Sequence, residues 1–421
     1  MKILVLSNLY PPHYVGGYEL HCQTIVEALR ARGHVVQVLT SNHGLDQEET
    51  FQNNSDTERS LKIHGMFGHP WLNIFRLRHQ EQHNNLKLRD AIRRFQPELV
   101  YVWNLSGLSK SMVFTLQAQQ IPTVFVVCDH WIARSAEGDV WLNWWNAKNV
   151  SMKHKLIRSV LTTIGLRDRW NKTAPTNSTG QFVFQRIYFC SRALRDFTAA
   201  AGFNVQHAAA IYCPINIHRF SGEPRTARQP LQRLLYVGRL TEDKGVMTAL
   251  RAMSLVKDKF AGELVIYGHG ENEYEQQLKK FTEKNKLPVT FANACRPEQM
   301  PAVYNAHDAL LFTSEWAEPF ALTPLEAMAS GLPVIGTTTG GSGELLRHGE
   351  NSLTYTAGNA EELARRILEL NADDTLRARI AIAGYCEVRE RFEESKIVGE
   401  IESYLTETLK TWRPIQLADF K

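Results

Sequence analysis

The sequence predicts an α/β protein built on two doubly wound parallel sheets, and three observations support this fold class. The 421 residues, 43% of them hydrophobic, are many for one domain and sufficient for two cores. Short apolar strand patterns alternate with helical patterns along most of the chain, as parallel sheets require. A polar stretch, SGEPRTARQP, interrupts this alternation near the middle. Two α/β domains are therefore expected.

The first domain begins with a strand, a helix and a second strand. The first strand is predicted at 2–6, and a loop containing Gly16 and Gly17 leads into an amphipathic helix and a strand at 35–39. Three further buried-strand patterns follow, at 98–103, 123–128 and 185–189. The first domain is therefore predicted to span 1–215, with a polar and mobile segment at 44–60.

A second α/β series follows a linker predicted at 216–230. Its strand patterns lie at 233–237, 264–267, 289–291, 309–312 and 333–336. The second Rossmann-like domain is therefore predicted at 231–395. The remaining segment, 396–421, has a helical apolar pattern and is expected to pack back near the domain junction. Because open α/β sheets bind ligands at the carboxyl ends of their strands, the two domains should face each other across a ligand-binding cleft.

Composition argues against several function classes. The net charge of +4 is small for this length, so a nucleic-acid protein with a broad basic face is not expected. The six cysteines form no Cys-x-x-Cys pair, which argues against a zinc site and a disulfide framework and favours a reducing cytosol. No apolar run approaches the roughly 18 residues of a membrane span. We expect a cytoplasmic protein, with peripheral attachment to the inner face of the cell membrane left open.

Two glutamates, Glu318 and Glu326, flank a predicted helix start in the second domain. Glu318 lies in the loop after strand 309–312. Thr323 fits an N-cap, Pro324 the first helical position and Glu326 the third, as in a capping box. In that interpretation Glu326 completes the capping box and Glu318 is a solvated acid of the loop.

The same helix start also fits a ligand site. Unpaired amides and the positive end of the helix dipole suit phosphate oxygens, and these amides belong to Phe320, Ala321 and Leu322. A carboxylate on each side can accept hydrogen bonds from sugar hydroxyls. A nucleotide sugar has hydroxyls at both ends of a diphosphate, so it matches this arrangement.

Basic residues follow the first strand of the second domain, in YVGRLTEDKG. The strand ends at Gly238, and Arg239 and Lys244 follow in the loop, where they would neutralise a diphosphate without a metal ion. The alternative is a pair of solvated surface cations. Gly268, in the Gly-His-Gly turn after strand 264–267, is a weaker signal because glycines are ordinary turn formers.

The first domain offers a glycine pair and a histidine. Amides of Gly16 and Gly17 can approach a phosphate or sugar closely, but the spacing fits neither the dinucleotide fingerprint nor a P-loop. His130, in CDHW directly after strand 123–128, is placed to bond a sugar hydroxyl or polarise a reacting centre. It is otherwise a histidine satisfied by local backbone, and Asp129 is a base or a structural acid.

Taken together, these motifs resemble the group-1, family-four glycosyltransferases of the GT-B fold. The resemblance is carried by GG followed by ELH, by GRLTEDKG, by YGHGE, and by two glutamates with seven residues between them, the second followed by AMASGLPVIGTTTGGSGELL. It covers nearly all of the second domain, where the motifs occur in the expected order. In the first domain it depends on the glycine loop and the strand pattern.

The resemblance implies roles for these residues. Arg239 and Lys244 would bind the donor diphosphate, Glu326 the ribose hydroxyls and Glu318 the donor sugar. Amides of the glycine loop and of the helix start would complete the donor site. The predicted catalytic set is His130, Arg239, Lys244 and Glu318; the predicted donor-binding set is Gly16, Gly17, Gly238, Arg239, Lys244, Gly268, Arg296, Glu318, Phe320, Ala321, Leu322 and Glu326. The family is typically retaining and metal-independent, so no metal or cofactor is expected.

Three features depart from the family pattern. The order Asp129-His130 reverses the usual histidine-aspartate, so either His130 or Cys128 occupies the usual place, and we favour His130. YCPINIHRF lacks the glycine and aspartate of the usual interdomain stretch. EPFAL replaces glutamate-glycine-phenylalanine-glycine, which predicts a stiffer loop and an altered sugar pocket.

The segment 141–172 bears on the acceptor. It contains seven lysines and arginines and one acid, Asp168. Its apolar residues Val150, Ile157, Val160, Leu161 and Ile164 fit one side of a helix that also carries Lys153, Lys155 and Arg158, with Trp144 and Trp145 just before it. Such a stretch is typical of a helix on an anionic bilayer. The alternative is an amphipathic helix packed on its own domain.

The sequence therefore predicts a glycosyltransferase that moves a sugar, with retention, from a nucleoside diphosphate sugar to a glycan or lipid-linked acceptor. A UDP-sugar is the favoured donor and polysaccharide or lipid-linked saccharide assembly the favoured setting. A nucleotide-sugar epimerase of the same fold and a catalytically silent nucleotide-sugar-binding protein are the alternatives. Nucleic acid is not expected as a partner.

Overall fold

The computed structural model describes residues 1–43, 56–63, 73–220, 222–226 and 230–414. The chain divides into two compact units. The first comprises Met1–Cys190, Arg195–Ile211 and Val398–Lys421, and the second comprises Ser191–Leu194 and Tyr212–Ile397. Each unit contains one parallel sheet, so the predicted α/β class with two sheets is confirmed.

The first unit contains a seven-stranded sheet in the order β3-β2-β1-β4-β5-β6-β7, with every pair parallel. Its strands are β1 Lys2–Leu6, β2 Val35–Ser41, β3 Thr57–Leu61, β4 Leu99–Val102, β5 Thr123–Val127, β6 Ile187–Phe189 and β7 Ala209–Ala210. The helices that precede β7 are α1 Gly17–Ala31, α2 Ile74–Phe95, α3 Ser111–Gln119, α4 Ser135–Gly138, α5 Val140–Asn146, α6 Met152–Thr163, α7 Leu166–Asn171 and α8 Arg192–Ala200. The central strands are buried on both faces, which explains their unbroken apolar runs.

Strand β3 corrects the prediction of a mobile segment at 44–60. Thr57 pairs with Val38 of β2 and the ladder continues to Leu61. The sequence TERSL shows no alternation of apolar and polar residues, so its strand comes from hydrogen bonding at a sheet edge rather than from burial of side chains. Residues 44–55 lie outside the described residues.

The second unit contains a six-stranded parallel sheet in the order β10-β9-β8-β11-β12-β13. Its strands are β8 Arg233–Val237, β9 Glu263–Tyr267, β10 Val289–Ala292, β11 Ala309–Phe312, β12 Val334–Gly336 and β13 Leu353–Thr354. The helices that follow β8 are α9 Val246–Val256, α10 Asn272–Asn285, α11 Met300–Asn305, α12 Leu322–Ala329, α13 Ala360–Ala372, α14 Asp374–Arg391 and α15 Glu394–Thr411. Fully buried Leu234, Leu250 and Leu363 belong to the main core of this unit. The close-packed core therefore holds the carboxyl ends of the strands in fixed positions.

The described residues of the predicted linker, 216–230, group with the second unit. Arg225 donates hydrogen bonds to the backbone oxygens of Asn305 (2.9 Å) and His307 (3.3 Å), and its amide donates to Gly331 (2.9 Å). Phe220 packs against the ring of Tyr304, with 5.9 Å between ring centroids. These residues are therefore packed on the domain that follows them.

The end of helix α15 belongs to the first unit. Tyr404 donates a hydrogen bond to the oxygen of Ile187 in β6 (3.0 Å). Glu402 accepts hydrogen bonds from Arg32 and from the ring of His34, each at 2.8 Å. These two bases lower the pKa of the Glu402 carboxyl. Among the described helices, none has the length and apolar character needed to cross a bilayer.

Candidate functional site

Two glycine-containing loops of the second unit meet at the carboxyl ends of β8 and β9. The amide of Gly238 donates to the oxygen of Tyr267 (3.1 Å). A Cβ atom on Gly268 would lie 1.9 Å from the oxygen of Gly238, and one on Gly270 would lie 2.0 Å from the oxygen of Leu240. Only glycine fits at these two positions. Loop packing therefore accounts for the Gly-His-Gly turn without any ligand.

Lys244 and Glu318, predicted to serve different parts of a ligand, contact each other directly. The Lys244 ammonium lies 2.5 Å from Oε1 of Glu318, and the two side chains are 18% and 9% exposed. Ser314 donates a second hydrogen bond to the same oxygen (2.7 Å), and the ammonium lies 5.0 Å from the ring centre of Trp316. The site therefore holds one cation and one carboxylate in fixed positions, largely removed from water.

Glu318 is positioned by a glycine pair that follows β12. The amide of Gly341 donates to the backbone oxygen of Glu318 (2.7 Å), and Gly340 forms a parallel bridge with Glu318. Gly340 has φ +59°, and a Cβ atom on Gly341 would lie 2.2 Å from the oxygen of Pro319. Gly340 and Gly341 are visible in the sequence within TTTGGSGE, but only the tertiary structure shows that they support the Glu318 loop.

Glu326 lies in helix α12 but does not complete the predicted capping box. The helix begins at Leu322 with Ala321 as N-cap, so Thr323 is already inside it. Pro324 then occupies the third helical position, where its missing N–H costs nothing because first-turn amides have no helical acceptor. The carboxylate of Glu326 instead accepts a hydrogen bond of 2.7 Å from the hydroxyl of Tyr304.

Burial changes the protonation of Glu326. Removal from water raises its pKa to about 7, although the hydrogen bond from Tyr304 and the charge of Arg219 both act to lower it. The carboxyl group therefore changes charge near neutral pH. A group of this kind responds to whatever hydrogen-bond donor is placed beside it.

The start of α12 lies between these two carboxylates in sequence. Ala321 provides no side-chain cap, so the first amides of the helix are not satisfied in that way. Phe320 and Ala321 are buried, and the ring of Phe320 packs against Phe392 at 5.7 Å between centroids. This packing fixes the direction of the helix start, which is what an anion site at a helix N-terminus requires.

The two predicted arginines differ from Lys244 in exposure. Arg239 is exposed, and the hydroxyl of Tyr236 donates to its backbone oxygen (2.9 Å), which holds the loop through the main chain. Arg296 is also exposed, and its amide donates to Gln299 in the turn before α11 (3.0 Å). Neither has an ion-pair partner within the described part of the chain.

The glycine loop of the first unit leads directly into α1. The amide of Gly16 donates to Oε2 of Glu19 (3.0 Å), and Gly17 is the first helical residue. A Cβ atom on Gly16 would meet no atom within 4 Å. Packing therefore does not require glycine at position 16, in contrast to Gly268.

His130 is buried rather than presented at a surface. It is 3% exposed, and its ring lies edge-on to Phe197 with 4.6 Å between centroids. Its backbone amide donates to Oδ1 of Asp129 (2.5 Å), a local contact that fits the structural alternative for Asp129. Local packing of this kind is the structural alternative to the predicted catalytic role.

A second histidine, not among the predicted site residues, lies near the end of β5. His21 of α1 is 7% exposed, with its Nδ1 atom 3.9 Å from the sulfur of Cys128 and its ring 5.1 Å from that of Trp103. The signal was present in the sequence as the last letter of GGYELH. The motif alone could not identify His21 as a site candidate, because the rotation of the helix determines that this residue faces the sheet.

The chain matches two sequence families. Residues 223–386 match the family described as glycosyl transferases group 1, and residues 15–219 match glycosyltransferase family 4. The matched residues cover most of both units. The protein belongs to the group-1 glycosyltransferases, as the motifs predicted.

Individual relatives are distant in sequence. An uncharacterized glycosyltransferase of Methanocaldococcus jannaschii is 24% identical over 420 residues, covering 95% of this chain and 96% of that protein. The spore coat protein SA of Bacillus subtilis is 27% identical over 202 residues, covering 44% of this chain and 54% of that protein. Anabaena HepE, solved in complex with UDP-glucose, is 20% identical with a TM-score of 0.69, covering 97% of this chain and 100% of that one. The likeness to HepE shows the fold, which is GT-B.

Proposed function

We propose that this glycosyltransferase moves a sugar from a UDP-sugar to a glycan or glycolipid acceptor with retention of anomeric configuration and without a metal ion. Polysaccharide or lipid-linked saccharide assembly is the proposed setting. The observation that carries the proposal is the pair of carboxylates on either side of the α12 start, with Lys244 held against one of them by a 2.5 Å contact. Support for the donor base comes from HepE, whose structure was solved with UDP-glucose.

In this proposal each part of the donor has a matching group in the second unit. Glu326 accepts hydrogen bonds from the ribose hydroxyls, the α12 amides bind the diphosphate, and Glu318 accepts from hydroxyls of the sugar. Lys244 balances the charge of the diphosphate, with Arg239 as a second, exposed cation. The roles predicted for Gly16, Gly17, Gly238, Gly268, Arg296 and His130 stay predictions.

The proposed reaction needs no separate base. The acceptor hydroxyl attacks the anomeric carbon on the side from which the nucleoside diphosphate departs, the new glycosidic bond forms as the old carbon–oxygen bond breaks, and the departing phosphate oxygen takes the hydroxyl proton. Lys244 and Arg239 stabilise the negative charge that develops on the leaving group. The electron pair of the broken bond remains on the nucleoside diphosphate.

The first test is donor binding. We would titrate the purified protein by calorimetry with UDP-, GDP- and ADP-sugars, with and without EDTA, and repeat the titration with Glu326→Ala. Glu283→Ala is the matched control, because this exposed glutamate lies on α10 of the same unit. We expect one UDP-sugar to bind the native protein and the control equally, and to bind Glu326→Ala at least about tenfold more weakly.

Four outcomes would contradict parts of this proposal. Absence of binding by any nucleotide sugar would remove the donor site, and binding that disappears with EDTA would remove metal independence. Conversion of the donor into an isomer without an acceptor would identify an epimerase instead. Once an acceptor is found, an inverted anomeric configuration in the NMR spectrum of the product would exclude the retaining mechanism.

A further inference from the structure

Helix α6 exposes a row of large aliphatic side chains. Met152 is 79% exposed, Leu156 66%, Val160 50% and Ile164, directly after the helix, 61%. A spacing of four residues places all of them along one side of the helix, and Ile157, 40% exposed, lies next to Leu156 and Val160 on that side. We call these five residues the α6 stripe.

The opposite side of α6 packs on the first unit. Leu161, 7% exposed, joins a buried cluster that includes Trp141, Trp145 and Trp170. Arg158 donates to the backbone oxygen of Trp145 (2.5 Å). The helix is therefore anchored through this side, and the α6 stripe is an additional apolar face. This arrangement corrects the prediction that Leu161 shares a side with the other apolar residues.

Exposed basic residues lie in the same segment as the stripe. Of the seven basic residues in 141–172, Arg158 and Arg167 point into the unit, where the Arg167 guanidinium lies 5.2 Å from the ring centre of Trp145. The segment contains one acid, Asp168. The remaining five basic residues are exposed: Lys148, Lys153, Lys155, Arg169 and Lys172. Lys153 is three residues before Leu156 and four before Ile157, so it rises from the same face as the stripe.

We propose that the α6 stripe docks onto an anionic lipid bilayer, with the helix lying in the plane of the membrane. The aliphatic side chains would enter the boundary between headgroups and acyl chains, and the surrounding lysines would contact lipid phosphates. A protein partner is less well matched, because protein interfaces are depleted in lysine and enriched in aromatic residues, whereas this face is aliphatic and carries Lys153. Long lysine stems can extend along an apolar layer while the ammonium stays in water.

Membrane docking would bring the enzyme to a lipid-linked acceptor. The docking proposal stands apart from the donor site, because vesicle binding is measured without a nucleotide sugar. Failure of docking would leave the donor proposal unchanged, and failure of donor binding would leave docking unchanged.

The test is cosedimentation with vesicles of phosphatidylcholine alone and of phosphatidylcholine with phosphatidylglycerol. We would compare the native protein with Leu156→Gln/Val160→Gln. The control is Leu255→Gln/Ile382→Gln, which removes two side chains of 54% and 44% exposure from the second unit. We expect the native protein and the control to bind anionic vesicles equally, and the stripe variant to bind at least about tenfold more weakly.

A second pair of variants tests the charge. Lys153→Glu/Lys155→Glu is compared with Lys280→Glu/Lys284→Glu, which makes the same change of charge on the exposed side of α10. Arg158 is left intact, since its hydrogen bond to Trp145 makes its replacement a test of folding. Only the first pair should lose binding, and added salt should weaken binding by the native protein. Circular dichroism and unchanged donor binding would verify the fold.

The proposal is overturned if the stripe variant binds as well as its control, or if vesicles without charge bind the native protein equally. It is also overturned if the native protein is a dimer that ignores vesicles and becomes monomeric when the stripe is changed. Light scattering after size exclusion distinguishes that case, in which a second copy of the chain covers the stripe.

Discussion

Glu318 and Glu326 are eight positions apart and lie on either side of one helix start, yet their surroundings are opposite. Glu318 is held by a cation and a hydroxyl, from Lys244 and Ser314. Glu326 has a single neutral donor, Tyr304, and burial raises its pKa to about 7. The first carboxylate is held in place by its contact with Lys244, whereas the charge of the second depends on pH. Identical residues in one motif therefore contribute different chemistry.

The largest effect is expected from Lys244→Met, which removes the partner that sets Glu318 apart. Glu318 would remain mostly buried without its cation, so we expect the free energy of unfolding to fall by about 2 kcal/mol. The donor diphosphate would lose its fixed cation, and affinity should fall on the order of a hundredfold. Chemical denaturation and calorimetry measure the two quantities.

A double variant sharpens this prediction. Adding Glu318→Gln to Lys244→Met removes the unpaired charge, so stability should recover while donor affinity stays low. If the single Lys244→Met variant has the unfolding free energy and the donor affinity of the native protein, the ion pair has no role in holding either residue.

Gly341→Ala should disturb Glu318 and spare Glu326. The added Cβ atom would lie 2.2 Å from the oxygen of Pro319, so the backbone beside Glu318 must shift. We expect a loss of about 1–3 kcal/mol in unfolding free energy and weaker donor binding. Gly16→Ala is the control, since the space there is open, and its cost should stay within about 1 kcal/mol. Equal stability losses in the two variants would contradict this explanation.

Glu326→Gln tests the pH dependence of the second carboxylate. Because its pKa is higher in the folded protein than in the unfolded chain, Glu326 contributes stability at low pH that is lost as pH rises through about 7. The variant lacks this loss, so between pH 5 and pH 8 it should gain roughly 2 kcal/mol relative to the native protein. Denaturant titrations at several pH values measure the difference. A constant difference would show that Glu326 does not titrate in this range.

Donor binding should depend on pH in the opposite direction. The ionised carboxylate is the better acceptor for ribose hydroxyls, so native affinity should fall as pH decreases through 7, with proton uptake by Glu326 competing against the donor. Calorimetry in buffers of different ionisation enthalpy measures the protons released on binding. A pH-independent affinity would argue against contact between Glu326 and the ribose.

Tyr304→Phe should have the smallest effect. It removes the hydrogen bond that favours the ionised form of Glu326, so the pKa of this carboxyl should rise and the midpoint of donor binding should move to higher pH. Stability should fall by about 1 kcal/mol, with little change in affinity at pH 8. A midpoint that moves to lower pH would contradict the assigned role of Tyr304.

Much of the fold was predictable because buried parallel strands produce continuous apolar runs. The predicted strands at 2–6, 233–237 and 309–312 have the same bounds as β1, β8 and β11. The short or polar strands β3, β7 and β13 were missed, because two residues or the sequence TERSL carry no periodic signal. The start of α12 was misplaced by the strong local signal of Thr323 and Pro324, which the packing of Phe320 and Ala321 overrides.

The sequence by itself determined the α/β class, the order of the longer elements, the family and the residue types gathered at the strand ends. These features depend on local periodicity and on motif spacing, which the chain carries directly. Only the tertiary structure decided that Lys244 pairs with Glu318, that Tyr304 reaches Glu326 and that Gly341 supports the Glu318 loop. It also decided which side of α6 is buried. Contacts between residues far apart in the chain depend on tertiary packing, which local sequence patterns do not specify.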